Sequence, residues 1–372
     1  MSATARSIRL ALACLLATAL PALAAKGEPG AVYVADNSAA GNAVMVFARQ
    51  ADGRLDSPPE LYPTGGLGTG TGLGNQGGVL LSGDRRHLFV VNAGSDDLSV
   101  FRVEPEGLEL LGVTPSGGRR PVSLAHHGGL LYVLNAGGLV GGQDSITGFL
   151  FHRGILEPLP GSTQPLSAVS TDPAQIAFNA QGSVLIVSEK ATHTLTTFRV
   201  DASGAADPPL PQASVGETPF GFAVSRQDEV LVSEAFGGAP DASAVTSYRV
   251  DGNGLLEVLA PSVPTTETAA CWVVIGKNGR FAYTTNTGSA SVTGFAIAPD
   301  GGLTLLDPDG VTGTTGAGPI DMGLSVNGRN LYTLDSGDGT LTVFRVRGRQ
   351  GGLKALQTVS GLPAGANGLA AR

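Results

Sequence analysis

The chain has 372 residues, 55 of them glycine, only two cysteines, and a formal charge of −8 from 23 Lys and Arg against 31 Asp and Glu. That acidic balance excludes a nucleic-acid binder and a protein held to anionic membrane surfaces. Two cysteines exclude a disulfide framework, and the length exceeds a typical single domain unless the chain is built from repeats.

Residues 1–24 read as a secretory signal. Arg6 and Arg9 make a positive start, Leu10–Leu20 is an apolar run too short for a membrane span, and Ala22-Leu23-Ala24 is an A-x-A cleavage site. A secreted or periplasmic protein is therefore expected, with residues 25–372 as one domain. Cys14 lies inside the apolar run, but a lipid-anchor site wants Leu, Val or Ile three residues earlier, where Ala11 stands. Cleavage removes Arg6, Arg9 and no acid, taking the charge from −8 to −10. It also leaves Cys271 alone, so no internal disulfide forms. No later segment is long and apolar enough to span a bilayer.

From residue 31 onward one unit recurs. In Asp84–Val103 a polar turn leads to an apolar strand, a short Asn/Gly/Ser/Asp turn and a second strand carrying an aromatic. Seven copies of that aromatic strand are present, marked by Phe47, Phe101, Phe149, Phe198, Tyr248, Phe295 and Phe344, spaced 47 to 54 residues apart. A period near 50 filled only with strand-type segments predicts a propeller. Each unit holds four strands. In the second copy these are Val79–Ser82, Leu88–Asn92, Leu98–Val103 and Leu108–Val113. The second of them is apolar at every position from Leu88 to Val91, which requires cover on both faces, and neighbouring blades supply it. The first copy opens on Ala31–Asp36, which matches second strands, while Gly365–Ala371 matches first strands such as Pro173–Phe178. The expected fold is thus all-β, a seven-bladed propeller closed by pairing of the C-terminal strand with the first blade.

Gly65–Gly78 (GGLGTGTGLGNQGG) is glycine-rich, but strand Val79 follows it rather than a helix, so it reads as a flexible inter-blade loop, one that could lie across one face of the ring, and not as a phosphate cradle. The turns between second and third strands are enlarged in two copies, by Gly137–Asp144 and Phe236–Ala242. Loops on one face of a propeller are where function concentrates.

The residues ending the second strands are Asp36, Asn92, Asn135, Glu189, Glu234, Asn286 and Asp335. Asn and Asp commonly start turns, whereas Glu does not, so Glu189 and Glu234 stand out. With His193 they form a candidate acid/base cluster or, by the same donor types, a divalent-cation site, against the plainer reading of a Lys190–Glu ion pair. Segments entering the first strands add Arg119 and Arg120 as a candidate anion clamp, then Asp172 and Gln175, which with Lys190 complete a candidate substrate-binding set. Cys271, beside Trp272, has no His nearby in sequence and reads as buried packing. His126 and His127 read as a surface turn. The chain has no HExxH, no GxSxG and no metal-type Cys/His spacing, so no cofactor is expected and a divalent cation in the channel is not indicated.

The units LFVVNAGSDDLSVF, YVLNAG and FAYTTNTGSASVTGF resemble the YVTN-type repeats of lactonase-like seven-bladed propellers. That family includes bacterial 6-phosphogluconolactonase and fungal carboxymuconate cyclase, and the likeness covers residues 30–372. It implies action on small anionic lactones, with no metal requirement in the cyclase branch. Cyclase-type members share a His-x-His segment entering the fourth inner strand, where this chain reads Asp172-Pro173-Ala174. Their acidic-Gly-acidic turn after the next strand is here Glu189-Lys190-Ala191-Thr192-His193. Two functions follow as expectations. One is an exported lactonase-like enzyme, hydrolysing or isomerising a small acidic lactone or sugar lactone. The alternative is a non-catalytic propeller that binds a protein or glycan at the cell envelope. A monomer is expected in either case.

Overall fold

The computed structural model describes residues 30–372, so the expected signal segment 1–24 lies outside the described residues. Seven antiparallel sheets follow one another around a central channel. Blade 2 shows the pattern, running outward through Val79–Leu81, His87–Asn92, Asp97–Glu104 and Gly107–Pro115. Blade 1 takes its innermost strand from the other end of the chain. Asn367–Ala371 pairs with Gly30–Ala35, Val32 opposite Ala371 and Val34 opposite Leu369. This closure completes blade 1 and joins the two ends of the chain, so the ring does not open between first and last blades.

The repeat aromatics explain why the ring holds together. All seven are at most 2% exposed. Phe198 packs into the cluster that holds Tyr132 and Phe149 of the preceding blade, Tyr248 against Val184 and Ile186, Phe295 against Leu231, and Phe47 against Tyr332 and Leu334 of blade 7. Burying each such side chain contributes about 1.5–3 kcal/mol, so the aromatic strand is the main apolar joint between blades. Tyrosines on second strands add polar joints. The hydroxyls of Tyr132, Tyr283 and Tyr332 each donate to a backbone carbonyl in a third-to-fourth-strand turn of the next blade, at Gly204, Gly351 and Gly53.

This topology defines two faces. The loops between second and third strands and the connections between blades emerge on one, here the loop face. The other turns emerge on the far face. Both enlarged loops lie on the loop face and carry short 3-10 turns, Gly137–Val140 and Phe236–Gly238. His126 corrects one expectation. It is not in a surface turn but in the inner strand Pro121–His127, stacked on Phe89 and edge-on to Phe151.

Candidate functional site at the channel mouth

The residues that end the second strands do not form an open ring on the loop face. Six of the seven are fully buried, and Asp36 is half-buried. Their side chains turn into the blade and hold three pieces of chain together. Glu189 Oε1 accepts from the Thr196 hydroxyl (2.5 Å) and the Ser167 amide (3.3 Å), and Oε2 from the hydroxyls of Ser167 and Thr192. Glu234 Oε1 accepts from the Gly216 amide (2.8 Å) and Thr246 (2.5 Å), and Oε2 from Ser262 (2.8 Å). Asp335 accepts from Gly316 and Thr342, and Asn92 donates to Ser99. Except at Asp36, which accepts from the Ser38 and Ala43 amides, the shared partner is a Ser or Thr seven residues on, or twelve in the two enlarged blades, on the adjacent third strand. At Asn92, Glu189, Glu234 and Asp335 the side chain also bonds the incoming loop and so clamps it to the blade. Burial holds the Glu234 carboxyl above the usual range despite its three donors.

The structure therefore does not bring Glu189, His193 and Glu234 into one acid/base cluster. No hydrogen bond or ion pair joins any two of them among the described residues. Each Glu uses its oxygens within its own clamp. His193 is exposed, and its Nδ1 accepts from the Thr218 amide at 2.8 Å, tying blade 4 to the entry of blade 5. Nor does Lys190 pair with a Glu.

Lys190 turns the other way, toward the axis. It is 7% exposed, and its ammonium lies 3.3 Å from Asp172 Oδ1 and 4.5 Å above the Phe220 ring, and donates to the Gly74 carbonyl at 2.6 Å. Asp172 enters from the start of blade 4's inner strand, half-exposed and held at φ 48. Arg120 enters from the equivalent position of blade 3, at φ 53. Both directly precede a proline, where helical backbone is disfavoured, and a positive φ there costs of order 1–3 kcal/mol. Strain of this kind, repeated at Thr218 before Pro219, surrounds the mouth of the channel. The Arg120 Nε is buried and makes no hydrogen bond among the described residues.

The electrostatics follow from this crowding. Burial pushes the Lys190 ammonium below the ordinary lysine range. Asp172 pulls it back, and the positive charge of Arg120 pushes it down further. Burial raises the neighbouring Cys271 thiol to about 12, so it stays protonated and unreactive.

Two residues of the expected substrate-binding set lie elsewhere. Arg119 is exposed on the rim, donating to the Val140 carbonyl at 2.8 Å, with its Nε 3.9 Å from Asp96. Gln175 is buried in the channel wall, where its amide bonds both the N–H and the C=O of Phe222 and so staples blade 4 to blade 5. Gly74 and Phe220 went unnoticed in the sequence. Gly74 sits in a stretch whose loop reading gave no reason to place it beside Lys190, and Phe220 is an ordinary strand aromatic by pattern. Among the described residues no three His, Cys, Asp or Glu side chains group closely enough to hold a metal ion, and no helix is long and apolar enough to cross a membrane.

Comparison with known proteins agrees with this architecture. A 6-phosphogluconolactonase of Serratia proteamaculans is 25% identical over 271 residues, covering 70% of this chain and 77% of that protein. The periplasmic gluconolactonase of Pseudomonas aeruginosa superposes with a TM-score of 0.71 at 20% identity, over 91% of this chain and 99% of that one. A hypothetical selenium-binding protein of Sulfolobus tokodaii superposes with a TM-score of 0.65 at 12% identity, over 92% of this chain and 94% of its own. At such identities the superpositions speak for the fold alone. The family model described as lactonase, 7-bladed beta-propeller, matches residues 32–140 and 242–367. The interval between the matched parts contains Asp172, Glu189, Lys190 and Glu234, while Arg120 lies inside the first. The chain belongs to the lactonase family of seven-bladed β-propellers.

Proposed function

We propose that the chain is an exported lactonase that hydrolyses a small acidic lactone or sugar lactone at the loop-face mouth of its channel. The observation that carries this is the Lys190–Asp172 pair, 3.3 Å apart at the mouth and beside the unpaired Nε of Arg120. The activity of the Serratia relative supports the reaction class, and the Arg6–Ala24 signature supports export.

The chemistry follows from the charges. Arg120 binds the substrate's anionic group. Asp172 accepts a proton from water as the water oxygen adds to the lactone carbonyl. The cationic Lys190 stabilises the oxyanion that develops there. When the ring C–O bond breaks, Lys190 gives its proton to the departing alkoxide, and a lysine with a lowered pKa is the better acid for this step. Asp172 returns its proton to Lys190 across the ion pair, which resets the site. The product is the open-chain hydroxy acid.

The experiment is hydrolysis of 6-phosphogluconolactone and gluconolactone by the mature protein, measured as acid release above the spontaneous rate. Asp172→Asn is expected to lower kcat by about 10²–10⁴-fold, the usual contribution of a general base. Turnover unchanged in this variant would remove the assigned mechanism. One feature favours the binding reading instead. Leu139 and Val140 on the enlarged loop of blade 3, and Val169 on the connection that follows it, are exposed, the kind of apolar surface that a protein partner covers. A folded protein with no turnover on either lactone would support that reading.

A further inference from the structure

The connection from blade 1 to blade 2 does not stay on the rim. After Thr71 it descends into the centre of the ring and bonds to blades on opposite sides. The Gln76 amide N–H donates to the Ala174 carbonyl of blade 4, and the Gln76 carbonyl accepts from Ser123 of blade 3 at 2.6 Å. The Gln76 side chain crosses the channel to blade 6. There its Nε2 donates to the Val273 carbonyl (3.0 Å) and its Oε1 accepts from the Val273 N–H (3.1 Å). The Asn75 carbonyl accepts from the Trp272 indole N–H at 2.6 Å, and the Asn75 amide donates to Val122. Gly77 accepts from the Leu124 N–H.

The fit is close on every side. Blade 5 accommodates it with Gly221, where a Cβ would stand 2.2 Å from Gln76 Oε1. Gly74 itself adopts φ +64 where it meets Lys190. Below Gln76 and Gly77 the channel opens to the far face as a cavity of about 460 Å³, so this segment closes its upper end.

We propose that residues 74–77 form a fixed plug across the channel, that Gln76 is the positioning residue that seats it, and that the plug holds Lys190 through the Gly74 carbonyl. The role given to Lys190 rests on the lactonase reading above, whereas the plug does not. The seating has a physical purpose. Lys190 faces Asp172 and Phe220 from the blade 4 and blade 5 entries, Arg120 from blade 3 and Cys271 from blade 6. The plug supplies the remaining side, keeping water off the ammonium and fixing its direction toward Asp172. A backbone carbonyl does this without adding a charge, and glycine takes up the φ of +64 without strain, where a Cβ would stand 3.1 Å from Lys190 Nζ.

The chain carries one tryptophan, Trp272, and it touches the plug, so its emission reports the seating directly. Amide hydrogen exchange on the unaltered protein comes first. The Gln76 and Leu124 amides are expected to be protected like the inner strands, and exchange of the Gln76 amide at the rate of an open loop would overturn the proposal. The variants Gln76→Ala and Gln76→Glu then unseat the plug, the second by setting a carboxylate against the Val273 carbonyl. In both, Trp272 emission is expected to move to longer wavelength, and the pH midpoint for acetylation of Lys190 by acetic anhydride to rise by about one unit.

If the unaltered protein turns over no lactone, the exchange, emission and acetylation results still decide the plug, so the two readings fail separately. Cooperatively folded variants with unchanged emission and an unchanged Lys190 midpoint would contradict the proposal. So would a moved plug that leaves both the Lys190 midpoint and kcat as they were.

Discussion

Glu189 and Lys190 are neighbours in the chain, and both are buried. Yet one belongs to the scaffold and the other to the mouth of the channel. Glu189 closes a strand and turns into its blade, where four neutral donors satisfy it and it makes no ion pair among the described residues. Lys190 begins the following loop and turns to the axis, where an acid, an aromatic face and a backbone carbonyl from three other segments meet it. Alternation of side chains along a strand separates them. The comparison teaches that charge and burial alone do not mark a site. What distinguishes the two residues is whether their partners come from one blade and its incoming loop or from several blades around the axis.

The largest expected effect sharpens that contrast. Lys190→Met should abolish most turnover, lowering kcat by about 10²–10⁴-fold. Its melting temperature should hold or rise, because a desolvated charge is replaced by an apolar chain of similar length. Activity assays and thermal melts on the same preparation check both halves. Next comes Glu189→Ala, which strands the buried Thr196 hydroxyl and frees the Ser167 segment, and should cost about 1–3 kcal/mol of stability. Denaturant titration measures this. Turnover per folded molecule should stay within about twofold, since no assigned step passes through the clamp.

A smaller effect tests the neutral acids inside the ring. Burial raises Asp321 to about 8, even though its oxygens accept from the Met322 and Leu369 amides, and raises Asp335 to about 6. Both titrate near 3.8 when unperturbed. Between those values the native state holds protons that the unfolded chain has released, so raising the pH disfavours folding. The stability from these groups is fully present below about pH 4 and is lost as the pH rises through about 6 and then about 8. Melting curves from pH 5 to 9 should show this fall. Asp321→Asn should flatten its upper part, and an unaltered slope between pH 7 and 9 in that variant would refute the assignment.

The smallest effect is expected at Arg119, whose ion pair with Asp96 is long and exposed. Arg119→Ala should change stability by less than about 0.5 kcal/mol and turnover by less than twofold, whereas Arg120→Ala should raise KM for an anionic substrate. Equal effects at the two arginines would blur the distinction between rim and mouth.

Much of the scaffold is legible in the sequence because it is written as repetition. The seven aromatics, the fully apolar second strands and the matching chain ends specify a closed ring, and the structure follows them to within a residue or two at most strands. The mouth is legible only in part. Arg120, Asp172 and Lys190 stand out as charged residues on the entering segments and loops. The sequence groups them in one candidate substrate-binding set, but the Lys190–Asp172 pair could not be read, because Lys190 is held at the axis by Phe220 and the Gly74 carbonyl, both remote from it in sequence. Glu189 and Glu234 misled for an instructive reason. Glu is unusual at a strand end, but the clamp needs only a side chain that can bond the Ser or Thr on the next strand: Glu189, Glu234 and Asp335 accept from it, and Asn92 and Asn286 donate to it. The plug escaped because a glycine-rich stretch carries few side chains, and Asn75 and Gln76 gain meaning only when Trp272 and Val273 are seen across the channel.

In the proposed mechanism the chemistry resides at the axis and not in the clamps. Parallel kinetics of Lys190→Met and Glu189→Gln, each corrected for folded fraction, separates the two. Loss of turnover by about 10²-fold or more is expected in the first variant and less than about twofold change in the second. The reverse pattern, with Lys190→Met active and a stable Glu189→Gln protein inactive, would contradict it.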